Sequence, residues 1–138
     1  MAKQSGLGDY VAVDDSGGTV RDLSTDITSY EIANSQNLLD STSISKSAME
    51  RIVGVGDGSV TLNGIFDSAS NLAHDVFKTK SGTRTVTIAI GGNTSGNPSL
   101  SMECLLADYN LSRGDDASLT WTATLNVSNG TVPTWGTV

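Results

Sequence analysis

Apolar and hydroxyl-bearing residues alternate along four stretches of the chain, which is the pattern of strands that bury one face. The stretches are residues 59–66, 83–90, 100–106 and 119–127. In the last of them the apolar positions are Leu119, Trp121, Ala123, Leu125 and Val127, separated by Thr and Asn. Strands with one apolar face are typical of an antiparallel sheet packed on a single core. The pattern therefore predicts a mainly β fold with antiparallel strands.

Three weaker strands are expected in the N-terminal part of the chain. They lie at about residues 8–13, 19–23 and 27–32. The first two are separated by Asp14-Asp15-Ser16-Gly17-Gly18, a run of residues that favour tight turns. We therefore expect them to form a hairpin.

Residues 68–80 have a different spacing, in which apolar side chains recur every three or four positions. These side chains are Ala69, Leu72, Ala73, Val76 and Phe77. Asp67 is placed to cap the first turn of this helix. Lys78 and Lys80 lie near its carbonyl end, where positive charge is favourable, and Gly82 can end it. The sequence thus predicts one helix over residues 68–80 that lies across the sheet and covers its core.

Residues 33–47 show neither period, and residues 48–55 fit a strand or a loop equally well. Gly54-Val55-Gly56-Asp57-Gly58 reads as a flexible turn. Five apolar side chains in this region have no obvious place in the core of the domain: Leu38, Leu39, Ile44, Met49 and Ile52. Long irregular connections are uncommon in compact domains and are usually functional or disordered. We expect an assembly arm at about residues 33–57 that is mobile in the monomer and orders against a neighbouring subunit.

Length and charge limit the kinds of protein this can be. The chain has 138 residues, enough for one domain over residues 1–138, and a net charge of −7. Such a charge disfavours a protein that grips nucleic-acid phosphates. No stretch approaches the length of an apolar membrane span, and the opening MAKQSGLGDY lacks the apolar centre of a secretion signal. We therefore expect the chain to be made and kept in a cytoplasm-like compartment.

Candidate catalytic and metal-binding groups are few. His74 and Asp75 are neighbours on the predicted helix, so their side chains diverge by about 100° and cannot act as a pair. Cys104 occupies an inward strand position, where a thiol behaves as a small apolar group. The pairs Asp14-Asp15 and Asp115-Asp116 lack the spaced oxygen ligands of a calcium loop. We expect no enzyme activity, no metal and no cofactor.

Two segments carry a resemblance to a known family. GDGSVTLNGIFDSASNLAHDVFKTKSG leads from a strand into the helix, and LSMECLLADYNLSRGDDASLTWTATLNVSNGTVPTW supplies two strands around an Asp-rich turn. Within them, the run from Leu62 to Asp67, His74 inside the helix, and Ser128-Asn129-Gly130 ahead of Trp135 are points of likeness. The chain resembles the major tail tube proteins of long-tailed bacteriophages over about residues 56–136, and over the first 55 residues by layout only.

The resemblance implies an antiparallel β-sandwich or half-barrel, the tail tube fold, with one helix packed on it and a long extended assembly arm. It implies a non-enzymatic virion tail protein, assembled in the host cytoplasm, whose hexameric rings stack into a tube. Its partners would be further copies of itself, a tape-measure protein and tail-completion proteins. The genome would pass through without specific binding, because six copies at −7 give −42 per ring and like-charged walls repel phosphates.

The channel lining of such a tube is expected on the hydroxyl-bearing strand faces and their neighbouring acids. The residues are Thr85, Thr87, Glu103, Thr120, Thr122 and Thr124. The alternative is that these positions are an ordinary solvent-facing strand surface.

A second interpretation of the chain is a β-sandwich module that binds carbohydrate or a host surface through residues 91–96 and Trp121 or Trp135. Such modules usually present exposed aromatic side chains. Trp121 falls on the predicted buried face, which disfavours this interpretation.

Overall fold

The computed structural model describes residues 3–138; residues 1 and 2, with which the expected domain begins, lie outside the described part. The described residues form eight strands and one short helix. In chain order these are β1 (Tyr10–Asp14), β2 (Val20–Asp22), β3 (Ile27–Asp40), β4 (Arg51–Ile65), α1 (Ala73–Phe77), β5 (Thr83–Ala89), β6 (Pro98–Arg113), β7 (Leu119–Val127) and β8 (Trp135–Thr137).

The strands pair in antiparallel fashion and join into one open sheet. Its order is β2-β1-β5-β6-β7-β4-β3, and β8 pairs with the start of β6. The mainly β, antiparallel fold with one helix is thus confirmed. β7 occupies the predicted residues, and β1 and β2 form the expected hairpin.

The long strand β6 connects the two ends of the sheet, because it takes different partners along its length. Its first half pairs with β5, its second half pairs with β7, and the pairing shifts between Leu106 and Asp108. Inward side chains from both ends meet in one core, among them Val13, Leu62, Phe77, Val86, Ile88, Cys104, Trp121 and Leu125. The sheet therefore curves into a half-barrel, and the outward faces of its two ends point in different directions.

The helix is much shorter than residues 68–80, so that predicted extent is wrong. Asn71 has φ 67, a left-handed conformation that an α-helix cannot contain, and α1 begins only at Ala73. Asp67 accepts a hydrogen bond from the Ala69 N–H at 2.9 Å and so stabilises a turn ahead of the helix. The helix cap comes from elsewhere in the chain, since Asp26 Oδ2 accepts the Ala73 N–H at 3.0 Å. Three apolar positions of the expected stripe, Ala73, Val76 and Phe77, are buried as predicted.

The prediction that residues 33–47 are irregular is also wrong. β3 runs on to Asp40 and β4 begins at Arg51, so most of residues 33–57 lies in two paired strands with a turn at residues 41–50. The glycine-rich run at residues 54–58, expected to be a flexible turn, lies inside β4. The arm is extended, but it is a β-hairpin; residues 33–57 are called the distal hairpin below.

A buried arginine fixes the end of the helix to the sheet. Arg84 is fully buried, and its guanidinium donates to the carbonyl oxygens of Val76 at 2.8 Å, Asp14 at 3.1 Å and Ser81 at 3.3 Å, and to that of Thr79. The last carbonyl groups of an α-helix have no partner within the helix. Arg84 therefore satisfies the carbonyl end of α1 and joins it to β1 and β5.

Candidate assembly and channel surfaces

The distal hairpin extends away from the core with exposed apolar side chains on both of its faces. Leu38 pairs with Val53, and Leu39 pairs with Ile52. Paired residues of antiparallel strands share a face and successive residues alternate, so one apolar pair lies on each face. All four side chains are exposed. A two-stranded ribbon of this kind cannot cover both faces with its own domain, and it is therefore a surface suited to a partner.

The turn of the distal hairpin is held by its own hydrogen bonds. Thr42 Oγ1 accepts the Glu50 N–H at 2.7 Å, and the Ser41 N–H donates to the Glu50 carbonyl at 2.9 Å. Lys46 forms an ion pair with Glu50 at 3.2 Å. Ile44 has a relative exposure of 107% at this turn. The turn thus presents an apolar side chain to solvent on a closed, hydrogen-bonded loop.

All five apolar residues of the expected assembly arm are exposed, and two more join them. The expected residues are Leu38, Leu39, Ile44, Met49 and Ile52, and the additional ones are Val53 and Val55, the last 84% exposed. Sequence reasoning missed the two valines because residues 48–55 fitted strand and loop equally. The alternation of Val53 and Val55 with glycines was the feature that could have identified them.

The chain after β7 forms a strap, residues 128–134, that crosses the base of the distal hairpin. A Cβ on Gly56 would lie 2.6 Å from Val132 Cγ2, and one on Gly58 would lie 2.8 Å from Pro133 Cγ. The Asn34 Nδ2 donates to the Pro133 carbonyl at 3.1 Å. These glycines are therefore needed for the close approach of the strap to β4, and the strap fixes the base of the hairpin.

Polar side chains form two rows across the outward face of four adjacent strands. The strand registers align Asp108, Thr124, Thr61 and Glu31 in one row and Asn110, Thr122, Asn63 and Ser29 in the next. In the second row, Thr122 Oγ1 donates to Asn63 Oδ1 at 2.8 Å and Asn63 Nδ2 donates to Ser29 Oγ at 3.2 Å. Thr120 pairs with Ile65 one step further. The distal part of β6 with β7, β4 and β3 is called the four-strand wing below.

The other expected channel residues lie outside the four-strand wing, on β5 and the first half of β6. Thr85 and Glu103 are direct cross-strand partners, and the Thr85 hydroxyl donates to the Glu103 carboxylate. Both line a cleft of about 270 Å³ together with Asn129 and Thr131 of the strap. Thr87 pairs with Ser101 and lies next to Thr85 and Glu103 on the same β5–β6 pair.

The structure therefore separates the expected channel residues into two groups. Thr120, Thr122 and Thr124 are together on β7, whereas Thr85, Thr87 and Glu103 are together on β5 and β6. The acidic ends of the first row, Asp108 and Glu31, were not identified from the sequence. For Asp108 the cause is the register shift in β6, since two-residue alternation from Leu100 does not continue through it.

Groups that could do chemistry are engaged in structural contacts. The Cys104 thiol is fully buried, and burial, with a smaller contribution from Glu103, raises its pKa to about 12. His74 Nδ1 lies 3.1 Å from the Tyr109 hydroxyl oxygen, within an aromatic cluster that includes Phe77. Among residues 3–138 no three His, Cys, Asp or Glu side chains are grouped as metal ligands. No helix in the described part of the chain is long and apolar enough to cross a membrane.

A cleft of about 480 Å³ near the N-terminus also contains titratable groups. The Tyr30 hydroxyl donates to the Asp9 carboxylate inside it. Burial raises the pKa of Tyr30 to about 12, and the hydrogen bond to Asp9 and its charge add to that shift. The two side chains therefore bind each other and tie the N-terminal segment to β3.

Comparison with known proteins gives structural neighbours only. No protein-family model matches the sequence, and no curated protein matches it either. A chain of the native gene transfer agent virion is 12% identical, with a TM-score of 0.72 and coverage of 99% of both chains. A chain of the SPP1 tail tube is 9% identical, with a TM-score of 0.73 and coverage of 99% of this chain and 80% of that one.

A third neighbour is a chain of the PVC sheath–tube complex, an extracellular contractile injection system in the extended state. It is 12% identical, with a TM-score of 0.67 and coverage of 99% of this chain and 93% of that one. These matches span nearly the whole chain, so they include the distal hairpin and the strap as well as the curved sheet. The resemblance drawn from the sequence is confirmed at the level of structure: this chain has the tail tube fold.

Proposed function

We propose that this chain is the structural subunit of a tail tube, in which copies form rings that stack around a channel. The observation that carries the proposal is the distal hairpin, which is apolar on both faces and has no core of its own to cover it. The tail tube fold of the chain supports the same role. In this role the protein is non-enzymatic, and other copies of itself are its main partner.

Rings would close through two sheet edges of the four-strand wing. Among the described residues, the outer edge of β3 has no partner strand. β5 begins at Thr83, which pairs with Leu105, so the part of β6 beyond Leu105 has no partner strand on that side among the same residues. Joining these two different edges is a head-to-tail contact, which closes into a ring when the rotation fits. We propose six copies per ring, supported by the C6 symmetry of the gene transfer agent tail.

The four-strand wing would line the channel. When its edges join between copies, its outward face would form one continuous wall, with Thr120, Thr122 and Thr124 facing the channel. Thr85, Thr87 and Glu103 would then lie on the outer side of the tube, because the sheet curves. With −7 per chain and acids at both ends of one row, phosphates are repelled and DNA passes without specific binding.

The location and partners of the subunit follow from the same role. We propose that the protein resides in the virion tail and is assembled in the host cytoplasm. A tape-measure protein inside the tube and tail-completion proteins at its ends would be further partners. The binding-module alternative is not favoured, since of its two candidate tryptophans Trp121 is 1% exposed and Trp135 alone, at 50%, could contact a ligand.

Size-exclusion chromatography with negative-stain microscopy at rising protein concentration tests the proposal. We expect rings or tubes from the wild type and none from Leu38→Asp combined with Leu39→Asp. The matched control is Leu7→Asp combined with Val20→Asp, which adds the same charge at two exposed apolar residues outside the hairpin. A wild type that stays monomeric, or a control that fails equally, would contradict the proposal. Loss of monomer folding in the hairpin variant would place the hairpin in the intrinsic core.

The distal hairpin should be mobile in the isolated monomer and ordered in the tube. Its apolar faces have no cover in the monomer, and few buried contacts oppose local opening. Hydrogen exchange should therefore be fast in residues 33–47 of the monomer, slow in residues 58–65, and slow in both after assembly. Strong amide protection of residues 33–47 in a proven monomer would contradict this expectation.

A further inference from the structure

Two Asn-Gly sequences lie in contrasting surroundings. Asn63-Gly64 is inside β4, whereas Asn129-Gly130 is at the start of the strap. In an Asn-Gly sequence the backbone nitrogen of Gly can attack the Asn side-chain carboxamide, because glycine has no Cβ to hinder the approach and has wide backbone freedom. The reaction requires that the local backbone can rotate into the attacking geometry.

The surroundings of Asn129 favour this reaction. Asn129 and Gly130 are both exposed, Gly130 has φ 76, and its N–H donates no hydrogen bond within the described chain. The Thr131 N–H donates to Asn129 Oδ1 at 3.1 Å. This bond polarises the side-chain carbonyl group of Asn129, as a backbone N–H does for a developing oxyanion.

The surroundings of Asn63 oppose the reaction. Its side chain is held at both ends, by Thr122 Oγ1 at 2.8 Å and Ser29 Oγ at 3.2 Å. Gly64 is buried between β3 and β7, and a Cβ there would lie 2.1 Å from the Asp26 carbonyl oxygen. The backbone nitrogen of Gly64 can reach the carboxamide only if these strands separate.

We propose that Asn129 is a site of spontaneous deamidation in the folded protein and that Asn63 is protected from it. The Gly130 nitrogen bonds to Asn129 Cγ, its proton leaves through solvent, and the side-chain nitrogen departs as ammonia. Water then opens the resulting succinimide at either carbonyl carbon. The products are aspartate and isoaspartate, and no enzyme or oxidant is needed.

The product changes the charge and the length of the strap. Asn129 lines the same cleft as Glu103, so the new carboxylate faces an existing acid. Isoaspartate also adds one carbon to the main chain ahead of Val132 and Pro133, the strap residues that contact the β4 glycines. This inference concerns the single chain and does not rest on the assembly role.

Peptide mapping by mass spectrometry, with isoaspartate detection, tests the inference on purified protein aged in mildly basic buffer. We expect deamidation at Asn129 to be at least about tenfold faster than at Asn63 in the folded protein, and the two rates to converge in urea. The control Asn129→Gln needs a larger ring for the same attack and should abolish the product at residue 129 alone. Equal rates in the folded protein, an unmodified Asn129, or a contrast that persists in urea would overturn the inference.

Discussion

Asp26 is a buried carboxylate that caps α1 from a distant part of the chain. It is 6% exposed and accepts the Ala73 N–H at 3.0 Å. Burial raises the pKa of Asp26, and the hydrogen bond and charge of Asp67 raise it further, while the Ala73 hydrogen bond lowers it. The raised pKa means that the folded state binds the carboxyl proton of Asp26 more tightly than the unfolded state does. The free energy of unfolding therefore falls as pH rises from the ordinary pKa of an aspartate to the raised pKa of Asp26.

Asp26→Asn should therefore stabilise the protein at neutral pH. An Asn oxygen can still accept the Ala73 N–H, and its amide can donate to Asp67, without a buried charge. The melting temperature of the variant minus that of the wild type should grow by a few degrees as pH rises from acidic to neutral. Asp116→Asn is the control. Hydrogen bonds from Ser118 lower the pKa of Asp116, so for this variant the melting-temperature difference from the wild type should fall as pH rises. A difference that shrinks with rising pH would contradict the assignment for Asp26.

The alternation of apolar residues in β5 predicts that Arg84 is buried but not which groups it binds. The spacing of Val86 and Ile88 already places residue 84 on the inward face. Its hydrogen-bond partners could not be predicted. They include the carbonyl group of Asp14, far away in the chain, and those of Thr79 and Ser81, which were predicted to lie within or next to a longer helix but which follow the end of α1. Likewise, the cap from Asp26 depends on a contact between residues 47 positions apart.

Arg84→Met should strongly destabilise the monomer. The variant keeps an apolar stem but leaves several buried carbonyl groups without donors, a loss of about 3 kcal/mol or more. Urea unfolding followed by tryptophan fluorescence measures the change. Arg113→Met, at an exposed position in β6, is the control and should shift stability by less than about 0.5 kcal/mol. Similar losses in both variants would contradict the role given to Arg84.

At the scale of elements, strands that bury one face were predictable and the distal hairpin was not. Periodicity arises because one face is buried, as in β5 and β7. Leu38 and Leu39 are neighbours that point to opposite faces, so the part of β3 that lies in the distal hairpin shows no alternation. The same apolar pair that led us to expect an assembly arm at residues 33–57 therefore concealed the β structure of that segment.

The strap and the glycines of β4 should be energetically coupled. Gly58→Ala places a methyl group against Pro133 and should cost about 1–2 kcal/mol, with faster hydrogen exchange in the distal hairpin. Combining it with Pro133→Ala should recover part of that loss, which a double-mutant cycle measures. Gly136→Ala is the control, since a Cβ there meets nothing within 4 Å. Additive effects of the two substitutions would show that the strap does not rest on Gly58.

At the scale of the whole molecule, charge opposes the association that apolar surface favours. Each chain carries a net charge of −7, and the proposed ring would bring several such chains together. Sequence composition revealed this charge but not its placement, because the row from Asp108 to Glu31 exists only once four strands are in register. The sequence likewise could not show that the sheet curves and separates Thr85 from Thr122.

Tube formation should accordingly increase with sodium chloride. Raising ionic strength from about 0.05 M to about 0.5 M shortens the screening length and weakens repulsion between chains. Light scattering and negative-stain microscopy should show rings at lower protein concentration in the higher salt. The variant Leu38→Asp with Leu39→Asp should stay dispersed in both, because screening does not replace the lost apolar contact. Rings that dissolve as salt rises would indicate that attraction between opposite charges drives assembly.

In the proposed tube, the distal hairpin extends from one subunit to contact the next, and this determines how the tube can grow. A hairpin that leaves one end of the subunit and is received at the other repeats the same contact at every layer, and such a contact has no intrinsic endpoint. Every added ring then presents the binding surface that the previous ring offered. The number of rings in the proposed tube must therefore be set by another component, either one whose length defines that of the tube or one that binds the last exposed hairpins and stops further addition.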